Sequence, residues 1–401
     1  MPLFLRKIKH SLLFTLVKTL AAFSAGARHI SFAGSGSAAQ LCRHIVDRGF
    51  RKVLVVTDKP LRELGVVDKA IAILSESGCE VSFYDGVLPD PTYDQVAAGV
   101  AVVKANGNDA ILAVGGGSSI DAAKIIAASA TSDESPQDWE GLGKVKHDTM
   151  NLFAIPTTAG TGSEATIGAV ISDAQTHQKA VISGASLLPN AVALDPDLLL
   201  GLPPAITAAT GMDALTHAIE AYIGTWERGS RLEDARMAVK LVFEHLPTAY
   251  RDGSNRDARA GMSMAAYYGG LAINQVNVGN VHAIAHQLGS KYGIPHGLAN
   301  ALVLPHVLEF CLQEAAPRLA ELARLIGVGS TDSSNEQLAH DFVAAVKDLR
   351  TQIGIADRSE KLQTEDFSEI AKLAIEEGDG YPVPRLLDTK NVLAILGRIA
   401  C

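Results

Sequence analysis

The stretch DAILAVGGGSSIDAAK, residues 109–124, runs as strand, loop and helix in immediate succession. Asp109–Val114 is a short apolar run. Gly115, Gly116 and Gly117 break it, and a helical pattern opens at once behind them. Glycines let a backbone approach a diphosphate closely, and the free amides of a helix start carry partial positive charge. The loop lacks the G-x-G-x-x-G spacing, so a plain tight turn is the alternative reading of the same three glycines.

Working outward, Lys52–Thr57 and Glu80–Tyr84 read as strands, and Leu61–Ser77 and 93–106 as helices. Apolar runs at 152–155, 167–171 and 191–194 add further strands. Strands alternating with helices of this length imply a parallel sheet covered on both faces. After Pro203 the character changes: 205–223, 231–246, 256–273, 278–291, 298–313, 316–326, 335–352 and 366–376 all read as helices. The expected organisation is a 28–200 nucleotide-binding α/β domain and a 201–401 helical domain. They are divided near Asp195-Pro196-Asp197 and Leu202-Pro203-Pro204.

Two further features adjoin the first half's strands. Asp58 ends the strand beginning at Lys52, where a carboxylate can accept from a ribose diol and repel a 2′-phosphate. Capping the next helix is the equally simple alternative. Thr157-Thr158-Ala159-Gly160-Thr161-Gly162-Ser163-Glu164 is a second glycine- and hydroxyl-rich loop, following the run that ends at Ile155.

The chain has 401 residues, 47% hydrophobic and 20% charged, with a formal net charge of −9, which argues against nucleic-acid binding. Aromatic content of 5% gives no stacking surface for bases. Cys42, Cys79, Cys311 and Cys401 are scattered and form no C-x-x-C pair, so neither a disulfide framework nor a cysteine metal site is expected; a cytoplasmic location fits.

Residues 3–23, LFLRKIKHSLLFTLVKTLAAF, complicate that location. Leu5, Ile8, Leu12, Leu16 and Leu20 recur at helical spacing, with Lys7, His10 and Lys18 towards the other side. Residues 1–27 therefore read as a basic amphipathic N-terminal extension. It would either pack on protein or make peripheral contact with an anionic membrane. Lys18 interrupts the apolar run well short of the ~20 residues of a membrane span. A secretory signal cleaved near Ser24-Ala25-Gly26-Ala27 is the third reading.

In the second half, GMDALTHAIEAY at 211–222 places Asp213 and His217 four residues apart, on one helical face. VHAIAH at 281–286 repeats the spacing with His282 and His286, and His296 follows in IPHG. A carboxylate and several imidazoles can hold a divalent ion such as Fe²⁺ or Zn²⁺. A lone histidine on an apolar helix is usually structural, as His306 is read here. Four such residues among small neighbours shift the balance towards a metal. Spacing does not choose between His282 and His286.

GGGSSIDAAK at 115–124, PTTAGTGSE at 156–164, LPPAITAATGMDALTHAIEAY at 202–222 and VHAIAHQLGSKYGIPHGLANALVLPHV at 281–307 together resemble the iron-containing (group III) alcohol dehydrogenase family. The resemblance runs from about residue 30 to the C-terminus. It implies a dehydroquinate synthase-like fold, α/β plus all-α: a Rossmann-like N-terminal domain and a helical C-terminal domain, with the metal in the cleft. It assigns the metal, Fe²⁺ or Zn²⁺, to Asp213, His217, His282 and His296. His286 is left near the nicotinamide end as a candidate for catalytic proton transfer. It also implies NAD contacts at Asp58, Gly116, Gly117, Ser118, Asp121, Thr157, Thr158, Thr161, Thr166 and Lys179. Asp90-Pro91-Thr92 departs from the family's usual Asn-Pro-Thr, and Val383-Pro384-Arg385 from its Asn-Pro-Arg.

The implied activity interconverts alcohols and aldehydes or ketones by hydride transfer to and from NAD, on small-molecule substrates. A glycerol or polyol dehydrogenase on the same scaffold, or a metal-dependent lyase or hydrolase of dehydroquinate synthase-like type, are the alternatives. A homo-oligomer, most simply a dimer, is expected.

Overall fold

The computed structural model describes residues 3–21, 29–175, 178–226, 230–330 and 332–401. The chain groups into two compact units: Ala27–Leu202 with Gly253–Gly270, and the N-terminal helix with Pro203–Asp252 and Leu271–Cys401.

In the first unit the order is β1 (Ile30–Ala33), α2 (Ser37–Asp47), β2 (Lys52–Val56), α3 (Lys59–Glu63), α4 (Val66–Glu76), β3 (Glu80–Tyr84), α5 (Tyr93–Asn106), β4 (Ala110–Gly115), α6 (Gly117–Ser129), β5 (Asn151–Pro156), β6 (Gly168–Ser172), β7 (Lys179–Ser183) and β8 (Ala191–Leu194), behind the N-terminal helix α1 (Leu3–Ala21). Six strands form a parallel sheet in the order β1-β8-β5-β4-β2-β3. Its strands are buried on both faces: Val53, Val55, Leu112, Val114, Phe153 and Ile155 pack against Leu41, Ile45, Ile71 and Leu74 of the helices on one face, and Leu54, Val56, Ile111 and Ala113 are buried on the other. The chain leaves β2 for β3 at one edge and returns to β4 on β2's other side. That reversal puts a crevice beyond the carboxyl ends of β2 and β4, where open α/β sheets bind ligands.

The runs at 152–155 and 191–194 enter this sheet. That at 167–171 instead pairs with β7 as a separate antiparallel hairpin. The four-residue β1 and five-residue β7 were not anticipated. Asp90, where the family usually has Asn, sits at φ 55, a left-handed conformation that Asn and Asp both tolerate. Gly253–Gly270 joins this unit through a backbone-to-backbone approach. A Cβ on Gly162 would lie 2.7 Å from Gly270 N, and one on Gly270 would lie 2.3 Å from Gly162 O.

The remaining elements are helices: α7 (Pro204–Ile223), α8 (Ser230–Arg251), α9 (Arg256–Val276), α10 (Asn280–Tyr292), α11 (His296–Leu325), α12 (Asn335–Gln352), α13 (Phe367–Gly378) and α14 (Thr389–Ile399). The separate helices expected at 298–313 and 316–326 are one, α11, which carries Pro305 and Pro317 inside it. The last helix, α14, was not foreseen.

The N-terminal helix does not turn its expected face inward. Leu5 and Ile8 are exposed, whereas Arg6, His10 and Phe14, spaced four apart, face protein. Arg6 holds Asp379 through two N–H donors at 2.7 and 2.5 Å, and His10 donates to the Tyr381 carbonyl at 2.7 Å. Part-buried ionic and polar contacts to a distant segment go with this rotation of the helix, and the leucine spacing does not reveal them. The side chains of Leu12, Leu16, Lys18 and Leu20, and the whole of Ser24–Ala27, lie outside the described residues. Among those described, no helix is long and apolar enough to cross a membrane.

Candidate metal centre and nucleotide cradle

Helix α7 is almost wholly buried and presents Asp213, His217 and Glu220 at i, i+4 and i+7, along one face. Helix α11 begins against it. A Cβ on Gly297 would lie 2.1 Å from the Ala209 carbonyl and 3.3 Å from the Asp213 Cβ, so only glycine lets His296 come up beside Asp213. Helix α10 supplies His282.

The donor atoms of Asp213, His217, His282 and His296 all lie within 4.8 Å of one another. From Asp213 Oδ1, His296 Nε2 stands at 3.4 Å, His217 Nε2 at 3.8 Å and His282 Nε2 at 3.9 Å. Donors about 2.1 Å from a common tetrahedral ion stand about 3.4 Å apart, so this spacing needs little adjustment to enclose one. The rings of His217 and His282 stack at 4.7 Å. Burial, then the neighbouring His217, His296 and His286, hold His282 well below its ordinary value, in the neutral form a metal requires.

Asn300, one turn after His296, donates from Nδ2 to Asp213 Oδ1 at 2.7 Å and lies 3.3 and 3.2 Å from His282 Nε2 and His296 Nε2. Its own Oδ1 and His217 Nδ1 are buried without a partner. A carboxylate and three imidazoles whose donor atoms converge form a set that suits a divalent cation.

Behind the cluster, Glu220 accepts from His282 Nδ1 at 2.6 Å, from Gly279 N at 2.8 Å and from Val281 N at 2.6 Å. Burial pushes its carboxyl up to about 8, and the backbone N–H groups of Val281, Gly279 and His282 act against that. With Nδ1–H committed to Glu220, His282 turns Nε2 to the cluster, the carboxylate–histidine arrangement of metal sites. Gly279 must be small: a Cβ there would lie 2.8 Å from Glu220 Oε1.

His286 lies outside the four. Its ring stacks on His296 at 5.3 Å, and its Nδ1 donates to Glu377 Oε1 at 2.6 Å. Glu377 also accepts from Tyr381 OH and from Gln287 Nε2, each at 2.7 Å. Burial, followed by the Glu377 charge, keeps Tyr381 well above its ordinary value, so the phenol remains a donor.

In the sheet unit, Asp58, Gly115–Gly117 and Thr157–Gly162 follow the carboxyl ends of the neighbouring strands β2, β4 and β5. Thr157 N donates to Gly115 O at 3.0 Å. A Cβ on Gly117 would strike Thr161 Cγ2 at 2.6 Å, and one on Gly116 would lie 3.3 Å from Thr158 Oγ1. Gly116 caps α6 without any side-chain bond, which leaves the opening amides at Gly117, Ser118 and Ser119 to face a ligand. Asp58 Oδ1 caps α3 by accepting from Leu61 N at 2.9 Å; Oδ2 remains.

The other residues assigned to the nucleotide are engaged within the protein. Asp121 accepts from Ser163 Oγ at 2.5 Å and from Val170 N at 2.9 Å. Thr166 bonds the buried Lys124 at 2.9 Å, and Lys179 pairs with Asp90 at 2.6 Å. Lys124 also reaches Ser163 O and Gly168 O, so the group Asp121–Lys124–Thr166 clamps the second loop onto α6.

Glu220, Asn300 and Glu377 went unremarked in the sequence. The first two carried a signal: each sits a helical turn beyond a metal-ligand candidate on the same face. Glu377 carried none, because its partner is 91 residues away.

Two family models match the chain: iron-containing alcohol dehydrogenase over residues 29–196, and the C-terminal model of the Fe-containing alcohol dehydrogenase family over 207–400. The alcohol dehydrogenase 4 of Saccharomyces cerevisiae (strain YJM789) is 37% identical over 371 residues, 92% of this chain and 96% of that protein. The 1,3-propanediol dehydrogenase of Klebsiella pneumoniae is 39% identical over 351 residues, 86% of this chain and 91% of that one. Among solved structures, a 1,3-propanediol oxidoreductase superposes with a TM-score of 0.91 at 37% identity, covering 94% of this chain and 99% of that one.

Proposed function

Because the chain belongs to the iron-containing alcohol dehydrogenase family and is an alcohol–aldehyde oxidoreductase of it, we propose that NAD is its hydride carrier and that Asp213, His217, His282 and His296 hold its divalent metal, Fe²⁺ or Zn²⁺. The observation that carries the metal half is the convergence of the donor atoms of one carboxylate and three imidazoles within 4.8 Å of one another.

A divalent ion held there supplies Lewis acidity, which eases loss of a hydroxyl proton or polarises a carbonyl. Asp213 offsets one of the ion's charges and the three imidazoles stay neutral, so the site keeps a net positive charge towards a substrate oxygen. Glu220 fixes the His282 tautomer, and Asn300 holds the Asp213 carboxylate in place. The amides of Gly117–Ser119, with Thr158 and Thr161, seat the diphosphate of NAD. Asp58 Oδ2 accepts from the adenosine ribose and disfavours a 2′-phosphate. His286, its Nδ1 engaged by Glu377, has Nε2 to carry the proton; a His286→Ala enzyme with the parent's rate and pH profile removes that role. Small primary alcohols and diols are the proposed substrates, in keeping with the propanediol dehydrogenase relative.

The test is an anaerobic panel of primary alcohols, diols and glycerol followed at the NADH band, after chelation and after adding back each metal. Turnover lost on chelation and restored by Fe²⁺ or Zn²⁺ is expected. Full turnover in metal-free enzyme, or turnover with NADP alone, refutes the corresponding half of the reading.

A further inference from the structure

Helix α1 lies before the first matched segment, yet its anchors end one residue's reach from the candidate proton carrier. Arg6, 10% exposed at its side chain, grips Asp379 with two charged hydrogen bonds, and His10 donates to the Tyr381 carbonyl. Phe14, buried beside His10, meets Trp226 edge-on at 6.3 Å and seats the helix. The turn that they hold, Asp379–Tyr381, follows directly on Glu377 at the end of α13. Tyr381 folds its hydroxyl back onto Glu377 Oε1, the same oxygen that receives His286 Nδ1.

We propose that α1 is a positioning element of the active centre, acting through the 377–381 turn: Arg6 and His10 fix Asp379 and Tyr381, and Glu377 thereby holds the His286 ring with Nδ1 protonated and Nε2 directed to its proton-transfer work. The inference rests on the reading of His286 as proton carrier. A two-point grip on residues 379–381 restrains the end of α13, because the same turn closes that helix: Asp379 N donates to Ile375 O at 3.1 Å and Gly380 N to Glu377 O at 3.0 Å. A bidentate guanidinium–carboxylate pair adds direction as well as attraction. The ring stack of His286 on His296 leaves that face of the imidazole closed, so the Glu377 bond is what sets rotation about the remaining axis. Neither Arg6 nor His10 touches the reacting atoms, and the metal-ligand set is complete without them.

The experiment compares the metal-loaded parent, Arg6→Met/His10→Phe, His286→Ala and the triple combination. It follows backbone hydrogen exchange over 375–388, metal content, kcat and KM for an alcohol. The double variant is expected to raise exchange at 377–381 at least tenfold. Its kcat should fall three- to tenfold, with KM and metal content unchanged. On the His286→Ala background, the same pair of changes is expected to cost no further activity, because coupled residues are not additive. Should the double variant fail to fold, Asp379→Asn breaks the Arg6 grip by itself and carries the same expectations. Unchanged exchange, unchanged kcat, or an equal loss with and without His286 overturns the inference. A His286→Ala enzyme with the parent's kcat instead refutes the His286 reading beneath it.

Discussion

Replacing Glu220 by glutamine tests the metal reading where the structure makes its strongest statement. Glu220 accepts three hydrogen bonds, two on Oε2, from Gly279 N and His282 Nδ1, and one on Oε1, from Val281 N. Glutamine keeps the shape but replaces one oxygen with N–H₂. Placing the amide nitrogen at Oε2 would oppose two donors, so it goes to the Oε1 side and faces Val281 N, which sits 2.6 Å from that position. One bond is lost and a buried donor is stranded. Stranding a buried donor costs about 1–3 kcal/mol. Changes to the partner of a metal-bound histidine typically lower metal affinity about 10–100-fold, about 1.4–2.8 kcal/mol, so the two routes agree. Competition against a chelator of known affinity should show that loss. Thermal unfolding of metal-free protein will separate it from general destabilisation. A Glu220→Gln protein whose metal affinity lies within threefold of the parent's would refute the argument that Glu220 orients a ligand.

Further outcomes follow from close contacts and burial. Gly297→Ala drives a methyl into the Ala209 carbonyl, separates the start of α11 from α7 and should leave folded protein with substoichiometric metal on elemental analysis, at about 1–3 kcal/mol lower stability. Gly117→Ala collides with Thr161 and should weaken NADH binding about tenfold or more by fluorescence titration, while metal content stays full. His29 donates to or accepts from Tyr267 OH at 2.7 Å, and burial, with Lys124 adding to it, holds its pKa at about 4. The unfolded chain therefore binds this proton first. Stability is fully present above about 6.5 and drains away as pH falls towards 4, by on the order of 2–3 kcal/mol after allowing for partial exposure. Urea unfolding of metal-free protein at pH 7 and pH 5 should show the drop, and His29→Gln should shrink it.

What the sequence disclosed and what it hid divide along a physical line. Asp213 and His217 were legible because helical spacing is a local property, and the triple glycine at 115–117 because a strand and a helix flank it directly. Spacing left His282 and His286 equivalent. Each gives its Nδ1 to a distant carboxylate, Glu220 or Glu377, and what separates them is tertiary placement: it is His282 whose Nε2 stands 3.9 Å from Asp213 Oδ1 within the converging donor group. The hairpin β6–β7 looked like more of the parallel sheet because a short apolar run does not record which way its neighbour runs. Helix α1 was read by its leucines, yet Arg6 finds its partner 373 residues on, and that contact goes with the rotation. The internal partners of Asp121 and Thr166 (Ser163, Val170 and the buried Lys124) are set by tertiary packing that the loop's composition does not record.

The mutual approach of Gly162 and Gly270 has a bearing on how this scaffold can be diversified. Main-chain atoms exclude a side chain at each position, those of Ala266 and Gly270 at Gly162 and those of Gly162 at Gly270, so shrinking a neighbouring side chain cannot compensate. Libraries aimed at altering substrate or cofactor preference through the 157–166 loop should therefore hold both sites constant. Recombination with a related enzyme will be tolerated only when the crossover carries the loop and the helix segment up to Gly270 together.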